Sequence, residues 1–212
     1  MTQCGCFITI EGLEGAGKSS CLSQIERLLR DRGLDPLLTR EPGGTPLGEA
    51  VRGLLLAPAH HGMSAEAETL LLFAARAQHL EQVIRPALQA GRPVVCDRFT
   101  DATYAYQGGG RQLGEARIAV LEDWVQQGLQ PDLTLYLDVP PRLGLERARQ
   151  RSAPDRFEQE RLEFFERARA VYLRRAERFP VRMKVIDASR PLAEVQAEIA
   201  AVITRMLDDG LD

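Results

Sequence analysis

The sequence predicts an α/β domain in which a five-stranded parallel sheet carries helices on both faces. Three observations predict it. Five short apolar runs, Cys6–Ile10, Pro36–Thr39, Pro93–Cys96, Leu133–Leu137 and Val181–Ile186, alternate with amphipathic stretches. The runs at 6–10, 36–39 and 93–96 show no regular polar–apolar alternation, as expected of strands covered on both faces. The 212 residues suffice for one such domain with a proper core. With no internal repeat or low-complexity linker, residues 1–212 read as a single domain, with a mobile lid around 142–157.

Each element follows from local chemistry. After the first strand, Glu11–Ser19 is a Gly-rich turn, and Ser20–Arg32 is an amphipathic helix that stops at Gly33. The second strand leads into Arg40–Gly44 (REPGG), a loop by its Pro-Gly-Gly content. Helices are predicted at Leu47–Leu56 and Ala65–Ala90, with His60, His61 and Gly62 between them. The third strand is followed by a loop running to Gly108–Gly109–Gly110, then by a helix over Leu113–Gln127 that stops at Gly128. Beyond the fourth strand, Arg142–Gln150 is helical, Arg151–Asp155 is a break and Phe157–Arg178 is a long helix. Leu192–Leu207 follows the fifth strand as a final helix.

Composition narrows the functional classes. A net charge of −3 and the absence of a long basic stripe speak against a nucleic-acid partner. No apolar stretch approaches the length of a membrane span, and no basic-then-apolar leader is seen, so a cytoplasmic protein with no membrane partner is expected. Cys4, Cys6, Cys21 and Cys96 form no paired C-x-x-C pattern and read as free thiols; Cys4 and Cys6 share a strand face, but a metal there would need further ligands. His60, His61 and His79 have no evident partner and receive no chemistry.

Gly12-Leu13-Glu14-Gly15-Ala16-Gly17-Lys18-Ser19 matches the phosphate-binding pattern G-x-x-x-x-G-K-[ST], with a strand before it and a helix after it. The glycines let backbone N–H groups face a phosphate, and the helix directs its positive N-terminus at the anion. Lys18 reaches the β- and γ-phosphates, and Ser19 supplies a hydroxyl to Mg²⁺. Gly12, Glu14, Gly15, Ala16, Gly17, Lys18, Ser19 and Ser20 are therefore the candidate ATP-binding residues.

In open α/β sheets ligands lie at the carboxyl ends of the strands. Asp97 ends the third strand, where a carboxylate holds hydrated Mg²⁺, and Arg98 beside it would place a bidentate cation near a second anion. The same pair also reads as a strand-end ion pair. Asp138 ends the fourth strand, where it reads as a helix cap. Arg142, Arg147, Arg149, Arg151 and Arg156 form a basic cluster. Arg147 and Arg151, at i and i+4, would repel without a compensating anion. A polyphosphate would compensate them, as would Glu146, Glu158 and Glu160 on a solvated helix.

In order and spacing, the blocks FITIEGLEGAGKSS, TREPGGTPLGE, LLLFAARAQH, VVCDRFTDATYAYQGGGR, PDLTLYLDV and RARQRSAPDRFEQE resemble the thymidylate kinases along nearly the whole chain. The resemblance implies the P-loop nucleoside monophosphate kinase topology, transfer of the γ-phosphate of ATP to dTMP with Mg²⁺, and a homodimer formed through helices. It also implies a set of site roles. Phe73 would stack on the thymine, Arg76 would bond the base carbonyl, and Thr103 would touch another edge. Tyr106 would pack near the sugar and disfavour a 2′-hydroxyl, and Gln107 would line the same pocket. Arg98 would grip the dTMP phosphate with Arg40 as a second contact, and Glu14 would lie near the 3′-hydroxyl. Gly15 stands where some members carry a catalytic Arg, which implies the bacterial arrangement: Arg151 on the transferring phosphoryl, Arg147 and Arg149 nearer the ATP. Glu41 and Asp101 are exposed polar candidates without a role. Phe73 also reads as core, since it lies in an apolar helical run.

Other kinases on the same fold, and a P-loop nucleotide switch, are the competing classes. A GTP switch is disfavoured because the chain contains no Asn for an N-K-x-D motif.

Overall fold

The structure, a computed structural model, describes residues 5–150 and 156–208. Its single sheet has five parallel strands in the order β2-β3-β1-β4-β5: β1 (Phe7–Gly12), β2 (Leu37–Arg40), β3 (Val94–Asp97), β4 (Leu133–Asp138) and β5 (Met183–Asp187). The central strand β1 sets Ile8 against Val95 on one side and against Leu133 on the other. Successive residues of β1 face opposite sides. Ile8 and Ile10 join Leu135, Leu137, Ile25, Leu29, Ile199 and Ile203 in one core layer. From the opposite face, Phe7 packs with Leu80, Ile84, Val94 and Phe99. A third apolar group joins Leu13, Tyr136, Phe164, Phe165 and Tyr172.

Nine α-helical segments are found among the described residues. They are α1 (Lys18–Asp31), α2 (Pro46–Leu56), α3 (Ala65–His79), α4 (Arg85–Gln89), α5 (Thr100–Thr103), α6 (Glu115–Gln126), α7 (Pro141–Arg149), α8 (Leu162–Arg178) and α9 (Leu192–Asp208). Their starts follow familiar chemistry. The Thr45 hydroxyl accepts from the Gly48 N–H ahead of Pro46, and Ser64 accepts from the Ala67 N–H with Glu66 and Glu68 in the first turn.

Three segments differ from the sequence expectation. The predicted helix over 65–90 is interrupted by a π turn, Leu80–Ile84. Pro86 has no N–H to give and its ring crowds the preceding turn, so the wider turn lets the helix continue into α4. The expected loop up to Gly110 is instead α5 followed by a π-helical segment, Tyr104–Gly110. Its glycines serve close helix packing: a Cβ on Gly109 would lie 2.5 Å from Val171 Cγ2, and one on Gly110 would lie 2.5 Å from the Phe164 ring. Finally, α8 begins at Leu162, not Phe157, because residues 156–160 form turns.

Candidate active site

The P-loop links β1 to α1 at the carboxyl edge of the sheet. Lys18 Nζ donates to the carbonyls of Gly12 (2.9 Å) and Leu13 (3.0 Å), so the loop holds its own lysine at the mouth of the site. Burial, and after it the neighbouring Arg98 charge, push the Lys18 ammonium down to about 8. Gly15 (φ 71°) lies under α7, and a Cβ there would fall 1.9 Å from the Gly144 carbonyl oxygen. No arginine fits at this position, whatever the chemistry would gain from one.

The turn after β3 forms the second wall. Arg98 sits in the left-handed region at φ 68°, a costly conformation for a side-chain-bearing residue. Two hydrogen bonds hold it there: Arg98 N–H to the Ile10 carbonyl (2.9 Å) and Phe99 N–H to Glu11 Oε1 (2.7 Å). Glu11 is fully buried, and its second oxygen accepts from the Tyr172 hydroxyl at 2.7 Å. Burial, reinforced by the Asp101 charge, raises the Glu11 carboxyl to about 8. The strain thus aims Arg98 into the site. Its Nη2 donates to Glu14 Oε1 (2.9 Å), its guanidinium lies 4.6 Å over the Tyr106 ring, and the Tyr106 hydroxyl donates to Glu14 Oε2 (2.8 Å). Burial opposes both charges of the pair. Arg98, Lys18 and Tyr106 nonetheless hold the Glu14 carboxyl below its ordinary range, and Tyr106 and Glu14 keep the Arg98 guanidinium charged.

These groups enclose a cavity of about 220 Å³, which Arg52, Leu72, Arg76, Thr103 and Gln107 also line. The Arg76 Nη2 donates to Thr103 Oγ1 at 3.0 Å, while Nη1 is buried without a hydrogen-bond partner. Phe157 lines the cavity too, edge-on to Tyr106 at 6.0 Å between centroids. Beneath this rim, fully buried Glu68 accepts from Gln107 and Arg111 and forms an ion pair with Arg156. Gln107 Nε2 lies 2.8 Å away, Arg111 Nη2 3.1 Å and Arg156 Nη2 2.6 Å. The cavity therefore offers cations (Lys18, Arg52, Arg98) on one wall. Elsewhere it offers apolar surface, neutral polar groups and Arg76, whose buried Nη1 has no hydrogen-bond partner. That suits a ligand with an anionic group and a flat, hydrogen-bonding body.

Lys18, Glu14, Arg98, Asp97, Ser19, Arg76, Thr103, Tyr106 and Gln107 thus come together around one cavity, with Gly15, Ala16 and Gly17 of the P-loop. Other residues lie apart from this cavity or meet partners that the sequence does not show. Phe73 does not line the cavity. It is buried, with its ring 4.7 Å beneath the Arg76 guanidinium. Leu72, at i−4 from Arg76, takes the cavity wall, while i−3 turns Phe73 toward α6. Arg40 points away to Glu49 at 2.9 Å, and the cation on the wall is Arg52 of α2. Arg147 donates to the carbonyls of Ala188 (2.8 Å) and Ser189 (3.3 Å), and neither it nor Arg149 lines the cavity. Asp138 caps no helix, because Arg169 takes both its oxygens at 2.7 Å. Glu41 and Asp101 are buried, at 5% and 1% exposure, and His79 is paired with Glu41. Arg151 and Cys4 lie outside the described residues. Arg52, the lone cation in an apolar helix, and Leu72, four residues before Arg76, carried a signal in the sequence. Glu11 and Glu68 gave none, since nothing local marks a carboxylate for burial.

The thymidylate kinase family profile matches residues 10–199 of the chain. The thymidylate kinase of Halorhodospira halophila is 60% identical over 212 residues, covering 99% of each chain. That of Pseudomonas savastanoi pv. phaseolicola is 57% identical over 204 residues, covering 96% of this chain and 97% of the relative. Among solved structures, the crystal structure of thymidylate kinase from Ehrlichia chaffeensis superposes with a TM-score of 0.77 at 33% identity, covering 94% of this chain and 98% of that one.

Proposed function

The chain belongs to the thymidylate kinase family, and on that premise we propose how its cavity works as it transfers the γ-phosphate of ATP to dTMP, giving dTDP and ADP for dTTP synthesis. The observation that carries this reading is a single cavity lined by the P-loop Lys18, the aimed Arg98 and Arg76, whose buried Nη1 has no partner. The thymine lies against Leu72, with a carbonyl accepting from Arg76 and Thr103 and Gln107 at its edges. The dTMP phosphate is held by Arg98 and Arg52. Tyr106 packs beside the sugar, leaving no room for a 2′-hydroxyl, and Glu14 lies near the 3′-hydroxyl.

Phosphoryl transfer is mainly positioning and charge stabilisation. Lys18 leaves the Gly12 and Leu13 carbonyls for the β- and γ-phosphates of ATP, which the P-loop N–H groups from Gly12 to Ser20 cradle. Asp97 Oδ1 is buried without a partner, and Asp97 and the neighbouring Ser19 line the same cavity. These hard oxygens suit Mg²⁺, which would take its remaining ligands from phosphate and water. When bound, the ion neutralises charge on the transferring group. The lid around 142–157 brings Arg151 to the transferring phosphoryl, with Arg147 and Arg149 nearer the ATP. Arg156 on Glu68 and Phe157 over Tyr106 anchor its far end.

The working unit is one domain in a homodimer. Leu70, Val120 and Trp124 are exposed on α3 and α6, and an apolar patch on two adjacent helices suits a second copy of the chain. Sedimentation equilibrium should give a dimer for the wild type and a monomer for Trp124→Glu; a wild-type monomer would refute it. The location is the cytoplasm. Among the described residues, Cys21 and Cys96 are free and buried, and no helix is long and apolar enough to cross a membrane.

The decisive test is coupled ADP release with ATP and Mg²⁺ across dTMP, dUMP, UMP, AMP and thymidine. Turnover should be strong with dTMP, weaker with dUMP and negligible with the rest. Preference for AMP, or no stimulation by any acceptor, would overturn the reading.

A further inference from the structure

At the edge of the cavity, Glu41 belongs to the lining and heads a buried polar chain that fixes Arg76. Glu41, immediately after β2, is docked by its N–H to the Asp97 carbonyl at 2.9 Å. Its Oε2 accepts from Arg76 Nε at 2.7 Å. Its Oε1 lies 3.1 Å from His79 Nδ1, and His79 Nε2 lies 2.6 Å from the Thr39 hydroxyl. Gly44 makes room for this chain, since a Cβ there would fall 2.4 Å from His79 Nε2. The rings of Phe73 and Phe99 flank the Arg76 guanidinium at 4.7 and 5.0 Å. Every nitrogen of that guanidinium except Nη1 thus has a protein partner.

We propose that Glu41, held in place by His79, is a positioning and specificity-determining residue that makes Arg76 read a neutral base carbonyl and not a phosphate. Two physical effects combine. The carboxylate takes Nε, which fixes the plane of the guanidinium and leaves Nη1 as its one nitrogen without a protein partner. It also balances the Arg76 charge inside a buried site, where an unpaired guanidinium would attract any anion. Among the described residues of the cavity, Arg98, Lys18 and Arg52 then remain to hold an anion, and dTMP enters with its phosphate toward the P-loop. The cavity is polar in one sense because Glu41 cancels the charge at its other end.

The inference rests on dTMP occupying this cavity. Wild-type turnover with dTMP tests that occupancy alone, and the variants test Glu41. Glu41→Gln keeps the shape and removes the charge. It should raise KM for dTMP about ten-fold or more, the scale of one misplaced charge-assisted hydrogen bond. It should leave kcat at saturating dTMP within about three-fold and KM for ATP within about two-fold, since the group never meets the phosphoryl. Inorganic sulfate should also become a stronger competitor of dTMP in this variant. His79→Gln, which loosens Glu41 without removing charge, should raise KM for dTMP by less, and Glu41→Asp should restore part of the loss. A thermal melt of each variant accompanies the kinetics. If Glu41→Gln lowers stability too far to assay, His79→Gln and Glu41→Asp decide the matter by the same KM split. The proposal is overturned if KM for dTMP stays within about two-fold of the wild type while wild-type turnover is intact. It is equally overturned if the KM values for dTMP and ATP rise together, as a merely structural role would make them.

Discussion

At the residue scale, the site runs on a few side chains whose partners set their charge. Removing the P-loop lysine deletes charge stabilisation that matters most in the transition state, so Lys18→Ala should lower kcat by about 10²-fold or more with the fold retained. Steady-state turnover with dTMP checks this, and wild-type-like kcat would refute the assignment. Glu11 makes a separate, pH-linked prediction. Its folded value is raised from 4.5 to about 8, so the folded state holds this proton more tightly than the unfolded chain does. Its stabilisation is complete below about 4.5 and is lost as pH rises toward about 8. Lys18, lowered from 10.5 to about 8, acts only above that window, where its burial penalty is relieved with rising pH. Glu11→Gln cannot ionise. Relative to the wild type, it should gain stability as pH is raised from about 5 to about 8, measured as the difference in chemical-denaturation midpoints. Parallel pH profiles would contradict it.

At the element scale, glycines decide how closely helices approach the sheet and each other. The Gly108–Gly109–Gly110 run was legible as glycine-rich but not as helical, because local sequence does not reveal that α8 presses against it. Gly109 has Val171 Cγ2 and the Arg167 carbonyl within 2.5 and 3.1 Å of where a Cβ would lie. Gly109→Ala should cost about 1–3 kcal/mol by overpacking and lower Tm accordingly. Because Tyr106 and Gln107 sit on this same element, dTMP affinity should fall with it. An unchanged melt would mean that α8 can move aside. The contrast with the P-loop is instructive. There Gly12, Gly15 and Gly17 all have positive φ, and a short loop writes that requirement into closely spaced positions. The requirement of the Tyr104–Gly110 segment is written sixty residues away, on α8.

At the scale of the whole molecule, buried carboxylates tie elements that are distant in sequence. Asp101 on α5 takes Arg175 Nε of α8 at 2.6 Å and Arg182 Nη1 at 2.7 Å, and Arg182 also donates to Thr134 Oγ1 of β4 at 2.6 Å. Burial would raise the Asp101 carboxyl, but the two arginines hold it below its ordinary range. Asp101→Asn leaves Arg175 and Arg182 uncompensated, and it should destabilise the chain by about 3–5 kcal/mol. Denaturant titration checks this, and a loss below about 1 kcal/mol would show that water replaces the carboxylate. Glu68 works likewise, joining α3, the Tyr104–Gly110 segment and the far end of the lid.

The sequence by itself determined the parallel α/β fold, the five strands, the P-loop and the charged turn after β3. Each is written in a local pattern: apolar runs of strand length, glycines at fixed spacing, a carboxylate and a guanidinium at a strand end. Only the tertiary structure decided that Leu72 and not Phe73 meets the cavity, that Arg52 and not Arg40 stands on its wall, and that Glu41, Glu68 and Asp101 are interior. One residue along a helix rotates a side chain by roughly 100°, too little for an apolar run to show which face turns inward. A carboxylate's burial, in turn, depends on arginines brought to it from other elements, which no stretch of local sequence records.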